Sequence, residues 1–251
     1  AHWRDVDLAG RLGPVRLMLS GSAPLEADVV AEFTERTGVP VHQGYGLTEA
    51  APVVTSTLCS AEQPTLGSVG AALAGIDLRL VDESGAVVVT EDPGEIQVRG
   101  ANLFSGYWPD GADAPSADGW WSTGDVGYLD ERGDVFLVDR VKELIIVSGF
   151  NVYPVEVEDV IAEVDGVRAV AVIGAEDEQR GESVVAYVVA PDLDPVGLEE
   201  TVRAHCSSRL ARFKVPSRIE VVEALPHTVT GKVQKGRLRG IERRRALGLL
   251  E

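Results

Sequence analysis

Apolar and polar positions change period along the chain, and each change marks a different kind of element. Val15 to Leu19 reads as a short strand, closed by Ser20-Gly21-Ser22-Ala23-Pro24. Leu25, Val29, Val30 and Phe33 then recur at helical spacing up to Gly38, a natural helix stop. Val39 to Gln43 reads as the next strand, so the opening piece is strand, helix, strand, with a connection long enough for a parallel crossover. From about residue 66 the period becomes two. Ile76, Leu78 and Leu80 alternate with Asp77, Arg79 and Val81, and Glu95 to Arg99 alternates in the same way. Val126 to Leu129 and Val135 to Val138 flank Asp130-Glu131-Arg132-Gly133-Asp134, a hairpin signal with a glycine available for positive φ. Short strands punctuated by glycine predict a small β-barrel or a distorted sheet.

The remainder mixes periods. Leu144 to Val147 and Val167 to Ile173 read as strands. Between them a helix starts at Pro154, which suits a first turn, with Val157, Val160, Ile161 and Val164 as its apolar stripe. Val184 to Val189 is a buried-type strand, Leu198 to Leu210 a second amphipathic helix, Arg218 to Val222 another strand, and Gln234 onward a basic helix. The order βαββαβα predicts a compact α+β domain behind an α/β opening. The fold class is therefore α/β and α+β: a strand-helix-strand piece and a small β-barrel, then a small α+β domain. No internal repeat or low-complexity segment interrupts it.

Composition sharpens the division. The 251 residues carry 23 basic and 40 acidic groups, a net charge of −17, yet residues 1–139 hold −15 of it and contain no lysine. All four lysines (Lys142, Lys214, Lys232, Lys235) fall in the nearly neutral remainder. A break of this kind predicts a domain boundary near residue 140, giving domains 1–139 and 140–251. Net acidity speaks against a generic binder of nucleic acid or anionic membrane. No apolar run approaches a membrane span of roughly 18 residues, and no signal-peptide pattern opens the chain. Cys59 and Cys206 cannot form a disulfide framework, so a reducing cytoplasm is the expected compartment.

Six stretches could carry chemistry. Gly44-Tyr45-Gly46-Leu47-Thr48-Glu49 follows a strand end, where two glycines would let backbone approach a ligand and the Tyr ring could lie along a flat base. Thr48 and Glu49 offer a hydroxyl and a carboxylate suited to phosphate and Mg²⁺; the plain alternative is a turn with a threonine cap. Ser20 to Pro24 opens a helix, where backbone N–H groups can meet a polar ligand. Trp121-Ser122-Thr123-Gly124-Asp125 places a carboxylate before a strand, able to accept from vicinal ribose hydroxyls or simply to cap its own turn. In Asp139-Arg140-Val141-Lys142-Glu143, Arg140 could donate to phosphate or ribose oxygens, unless the cluster is a solvated linker. Ser148 to Pro154 makes a glycine turn into a helix. Pro226 to Lys232 is a Gly/Thr loop ending in a lysine that could screen a transferring phosphoryl group. The Walker pattern fails there, and the seven basic residues from Lys232 to Arg245 read first as a solvated helix face. The four histidines have no metal-ligand spacing, and Ser20-Gly21-Ser22 lacks the nucleophile-elbow pattern.

In this order the stretches resemble the adenylate-forming superfamily of acyl- and aryl-CoA synthetases, carrier-protein-loading adenylation domains and firefly-type luciferases. Agreement of six spaced motifs is far more specific than any one of them. The resemblance implies ATP and Mg²⁺, with CoA as cosubstrate and a carboxylic acid, of fatty or aryl type, as substrate. By it, Gly21, Ser22, Ala23 and Pro24 would line the adenine and ribose pocket, and Gly44, Tyr45 and Gly46 would pack on adenine. Thr48 would contact the α-phosphate, Glu49 would hold Mg²⁺, and Asp125 would bind the ribose hydroxyls with Arg140 beside them. Lys142 would be the hinge of a rotating C-terminal domain, and Lys232 the lysine bridging carboxylate and α-phosphate. After rotation, Ser148, Gly149 and Phe150 would line the pantetheine tunnel.

One part of the family pattern is absent. Its Ser/Thr/Gly-rich phosphate loop lies well upstream of the Ser-Gly-Ser-Ala-Pro turn, and only about 20 residues precede that turn here. The expectation is therefore the C-terminal half of a ligase, inactive alone, whose partner is the missing N-terminal portion or a complementary chain. The rival readings are a carrier-protein-loading adenylation enzyme and a non-catalytic binding module.

Overall fold

The computed structural model describes residues 6–22, 25, 27–88, 92–228 and 231–249. It divides into two compact units, Ala1–Leu137 and Val138–Glu251.

In the first unit a short helix, α1 (Leu8–Arg11), precedes β1 (Met18–Ser20), α2 (Ala27–Thr37) and β2 (Val41–Gly46). The strands pair in parallel, Met18 opposite Val41 and Ser20 opposite Gln43, as a helical crossover requires. α2 stops at Gly38, whose φ of 69° and N–H bond to the Thr34 carbonyl (2.8 Å) form a left-handed end. The strands β3 (Val53–Ser56) and β4 (Ala71–Ala72) complete a four-stranded sheet in the order β1-β2-β3-β4. Both strands of the opening pair begin two to three residues later than the apolar pattern implies. As a result β2 runs on through Gly44, Tyr45 and Gly46, and that motif lies in the strand rather than after it.

A second sheet contains β5 (Ile76–Val81), β6 (Val87–Val88), β7 (Gly94–Gly100), β8 (Trp121–Leu129) and β9 (Val135–Arg140), in the order β6-β5-β7-β8-β9. The order is linear, and no closed barrel is seen among the described residues; of the small barrel or distorted sheet expected, the sheet is what forms. Its edge strand β6 is only two residues long, and the β7–β8 register shifts between Glu95 and Gln97, which distorts the sheet instead of closing it. Ile96, Val98, Leu80 and Val135 are buried with Tyr45, Ala50 and Val54 in one core, each large side chain contributing roughly 1.5–3 kcal/mol by burial. The division between units falls within β9.

The second unit opens with the strands β10 (Ile145–Val147) and β11 (Phe150–Val152), then α3 (Pro154–Ala162). The strands β12 (Ala169–Asp177) and β13 (Gly181–Val189), α4 (Pro195–Arg209), β14 (Arg218–Val221) and α5 (Lys235–Ala246) follow. β13 is central: β12 lies antiparallel along one edge, while β10 (at Gly181) and the parallel β14 share the other. Alternation along the strands supplies both faces. Val172, Val184, Ala186 and Val188 pack with Val157 and Ile161 of α3 and Leu198, Val202 and Cys206 of α4. Ala171, Ile173, Val185 and Tyr187 pack with Leu225 and with Leu238 of α5. Burial pushes the Cys206 thiol up to about 11, which leaves it inert. The order is ββαββαβα, with one strand more than the sequence pattern gave. Among the described residues, no helix is long and apolar enough to cross a membrane.

Candidate active site

β2 and β8 bring two of the expected groups together. The Tyr45 hydroxyl donates to Asp125 Oδ2 at 2.6 Å, across 80 residues of sequence. Asp125 lies within β8, not before it. Its own N–H donates to Thr123 Oγ1 (3.1 Å), and Thr123 Oγ1 donates to the Ile96 carbonyl (2.8 Å), which ties the carboxylate to β7. Gly124 takes a φ of 74°, and its N–H donates to Glu95 Oε1 at 3.2 Å. Tyr45 is 8 % exposed and belongs to the core, so only a small part of it is left to meet a base.

The two glycines flanking Tyr45 have a role within the fold. A Cβ on Gly46 would stand 1.9 Å from the Pro52 carbonyl oxygen, and one on Gly44 would stand 2.9 Å from that of Thr55. They admit the neighbouring backbone of the Pro52–Ser56 segment, and their need is met within the fold. Gly21 and Ser22 continue from β1 beside β2, and Gly21 faces the Gly44 carbonyl, 3.5 Å from where a Cβ would sit. Both are exposed, and Ser22 has a φ of 71°. Ala23 and Pro24 lie outside the described residues.

Thr48, Glu49 and Ala50 form a single 3₁₀ turn directly after β2. Thr48 is exposed and Glu49 half-buried. Glu49 is held twice: its carbonyl accepts from Phe104 N–H (2.8 Å), and its Oε1 accepts from the Tyr107 hydroxyl. That bond to Glu49 raises the Tyr107 phenol above its ordinary value. Tyr107 is in turn braced edge-on by Phe104 (5.1 Å between centroids), which also meets Trp121 (5.3 Å). Tyr107, Trp121, Thr123 and Gly124 border a cleft of about 650 Å³. Nothing in the local sequence marks Tyr107, because its partner is 58 positions away. Among the described residues no group of three or more His, Cys, Asp or Glu side chains could hold a metal by itself. Glu49 nevertheless fits Mg²⁺, which takes one or two carboxylates together with substrate phosphates: Oε2 carries no hydrogen bond among the described residues.

The other expected groups lie in the second unit. Arg140 ends β9, exposed, and its N–H donates to Asp139 Oδ1 (2.8 Å). Lys142 sits exposed in the 3₁₀ turn Val141–Glu143. Ser148 and Gly149 are not a turn into a helix but the loop of a two-residue hairpin. With φ of 52° and 84° they have the sign pattern of a type I′ turn, joining Val147 to its partner Phe150. Phe150 is 55 % exposed and stacks on Phe213 at 4.7 Å. Lys232 is exposed in a tight loop: its N–H donates to Thr228 Oγ1 (3.0 Å), and its carbonyl accepts from Thr228 N–H (2.8 Å). A second cleft, about 350 Å³, is bordered by Arg180, Arg203 and Arg212.

Comparison with known proteins shows the family. Residues 4–108 match the AMP-binding enzyme family and residues 156–232 the AMP-binding enzyme C-terminal domain. A long-chain-fatty-acid–CoA ligase of Yersinia pestis is 40 % identical over 232 residues, covering 91 % of this chain and 40 % of the relative. A feruloyl-CoA synthase of an Amycolatopsis species is 39 % identical over 240 residues, covering 95 % and 48 %. The crystal structure of ATP-bound MatB from Rhodopseudomonas palustris aligns with a TM-score of 0.83 at 39 % identity, covering 93 % of this chain and 46 % of that one. The chain thus spans under half the length of these relatives. By both family matches, in order along the sequence, the chain belongs to the AMP-binding, adenylate-forming enzymes.

Proposed function

We propose that this sequence belongs to an AMP-forming carboxylate–CoA ligase, which makes an acyl-adenylate and then an acyl-CoA. The observation that supports the reading is the bond between Tyr45 and Asp125, on the same unit as Glu49. A carboxylate accepts from two ribose hydroxyls, and its lone pairs can serve Tyr45 as well. Gly21, Ser22 and the Gly44–Gly46 backbone border the base and Thr48 meets the α-phosphate, while Arg140 keeps the ribose role that the resemblance implies. Glu49 would hold Mg²⁺, which when bound screens the anionic phosphates.

The chemistry explains why a lysine is needed. A substrate carboxylate oxygen attacks the α-phosphorus and pyrophosphate leaves, although nucleophile and target are both anionic. The Lys232 ammonium neutralises part of that charge and orients the carboxylate. A thiolate of CoA then attacks the acyl carbon, and the bond to the AMP oxygen breaks. In that step Ser148, Gly149 and Phe150 line the thiol's path, and the Arg180–Arg212 cleft suits the phosphates of CoA. Rotation about Lys142 exchanges the two loops. The relatives' names favour fatty and aryl acids as substrates. In this reading β1, an edge strand with Leu17 and Leu19 exposed, is covered by further polypeptide of the ligase.

The test uses a polypeptide of the relatives' length carrying these residues. It should release AMP only with carboxylate and free CoA present. Release that needs a phosphopantetheinyl carrier protein instead would establish the carrier-loading alternative.

A further inference from the structure

Lys235 stands three residues after Lys232 at the start of α5, where the run of basic residues reads as a solvated face. The structure buries it. Its side chain is 12 % exposed, and its ammonium meets Glu158 at 2.8 Å and Glu143 at 3.4 Å. Glu158 lies on α3 and also accepts from the Val172 N–H of β12 (2.7 Å). Glu143 closes the 3₁₀ turn that contains Lys142. Asp139, which accepts from Val155 N–H at the start of α3 (3.1 Å), adds a third negative group acting on Lys235. One ammonium thus joins the turn bearing Lys142, α3 and the start of α5.

Such a buried pair is a weak source of net stability, since desolvation offsets most of the attraction, whereas its geometry is restrictive. The restriction reaches Lys232 through a short path. Gln234 N–H donates to the Pro226 carbonyl (2.8 Å), Val233 bridges His227, and Lys232 is bonded at both N–H and carbonyl to Thr228. The backbone at Lys232 and Gln234 is thus tied to the segment Pro226–Thr228, directly before Lys235, while the Lys232 side chain is exposed.

We propose that Lys235 is a positioning residue: it fixes the Lys232 loop to the turn bearing Lys142, so that catalytic lysine and hinge move as one piece. This rests on the roles given above to Lys232 and Lys142. Two variants of the full chain, Lys235→Met and Lys235→Arg, test the linkage by amide hydrogen exchange. In Lys235→Met the amides of Lys232, Gln234 and Leu144 should exchange about tenfold faster or more, while those of β12 and β13 keep their protection. Lys235→Arg should stay near the parent chain. Unchanged loop amides, or uniform loss of protection through β12 and β13, would overturn the proposal.

A kinetic readout separates positioning from folding. In a ligase carrying the sequence, Lys235→Met should lower kcat for carboxylate-dependent ATP–pyrophosphate exchange roughly 10- to 100-fold with little change in KM for ATP. Thioester formation from supplied acyl-adenylate should be spared, and Lys235→Arg should restore exchange. Equal loss in both steps would refute the positioning role. If the parent ligase shows no exchange at all, it is the functional reading that fails, and the amide data still decide whether Lys235 joins the two segments.

Discussion

Gly46 shows how a residue typical of ligand loops can be required by the fold. Its missing side chain leaves room for the Pro52 carbonyl and for Val53 Cα, 1.9 and 2.8 Å from where a Cβ would stand. Both obstacles are backbone, so neither can yield by a change of rotamer. Gly46→Ala should therefore destabilise the first unit by more than about 2 kcal/mol, read as a lower urea midpoint. A loss below about 0.5 kcal/mol would show that β2 and the segment after Pro52 separate easily. Tyr107 illustrates the reverse case. It has no motif of its own, yet its hydroxyl holds Glu49, the residue expected to carry the metal. Such a contact, formed across 58 positions, is invisible to periodicity and to local spacing.

Among the elements, those carried by a long apolar period were the most legible. α3 with Pro154 in its first turn, β5 and β7 lie where the pattern of Val, Ile and Leu puts them, and β13 and α4 do so apart from starting three residues earlier, because each buries a continuous face. In the hairpin β10–β11 the first strand was expected and the second, with its turn, escaped. Its strands have three residues each, and its turn needs a positive φ at Ser148 as well as at Gly149, which serine seldom signals. Barrel and distorted sheet stayed open as alternatives for a related reason: alternation identifies strands but not whether their outer edges meet. The candidate site residues could be named from motifs, whereas the Tyr45–Asp125 bond could not. Lys235 is the clearest instance of burial overriding composition, and it has a measurable consequence. Burial alone would lower its pKa, but Glu158, Asp139 and Glu143 outweigh that and hold it above the ordinary value. A raised folded value gives stability that is complete below the unfolded value and is lost as pH climbs through the folded one. Stability should thus fall above about pH 10.4, and Lys235→Met should lack that component. Comparing urea midpoints at about pH 9 and about pH 11 for both chains measures it. Identical falls would show that Lys235 gains nothing from its three acids.

At the scale of the whole molecule, the charge division acquires a reason in the proposed reaction. The acidic first unit carries the carboxylates proposed to meet ribose and metal, and all four lysines lie in the second. Lys232 is borne on the loop before α5, whereas Ser148 to Phe150 is borne on the hairpin between β10 and β11. In the proposed reaction the two loops serve different half-reactions, so the account has them take turns at the reaction centre. The half-reactions of a Lys232→Ala ligase carrying this sequence test that requirement most directly. Adenylation, followed by ATP–pyrophosphate exchange, should fall by about 100-fold or more, while CoA thioester formation from supplied acyl-adenylate continues at nearly the parent rate. Equal loss of both half-reactions would contradict the alternation of the two loops.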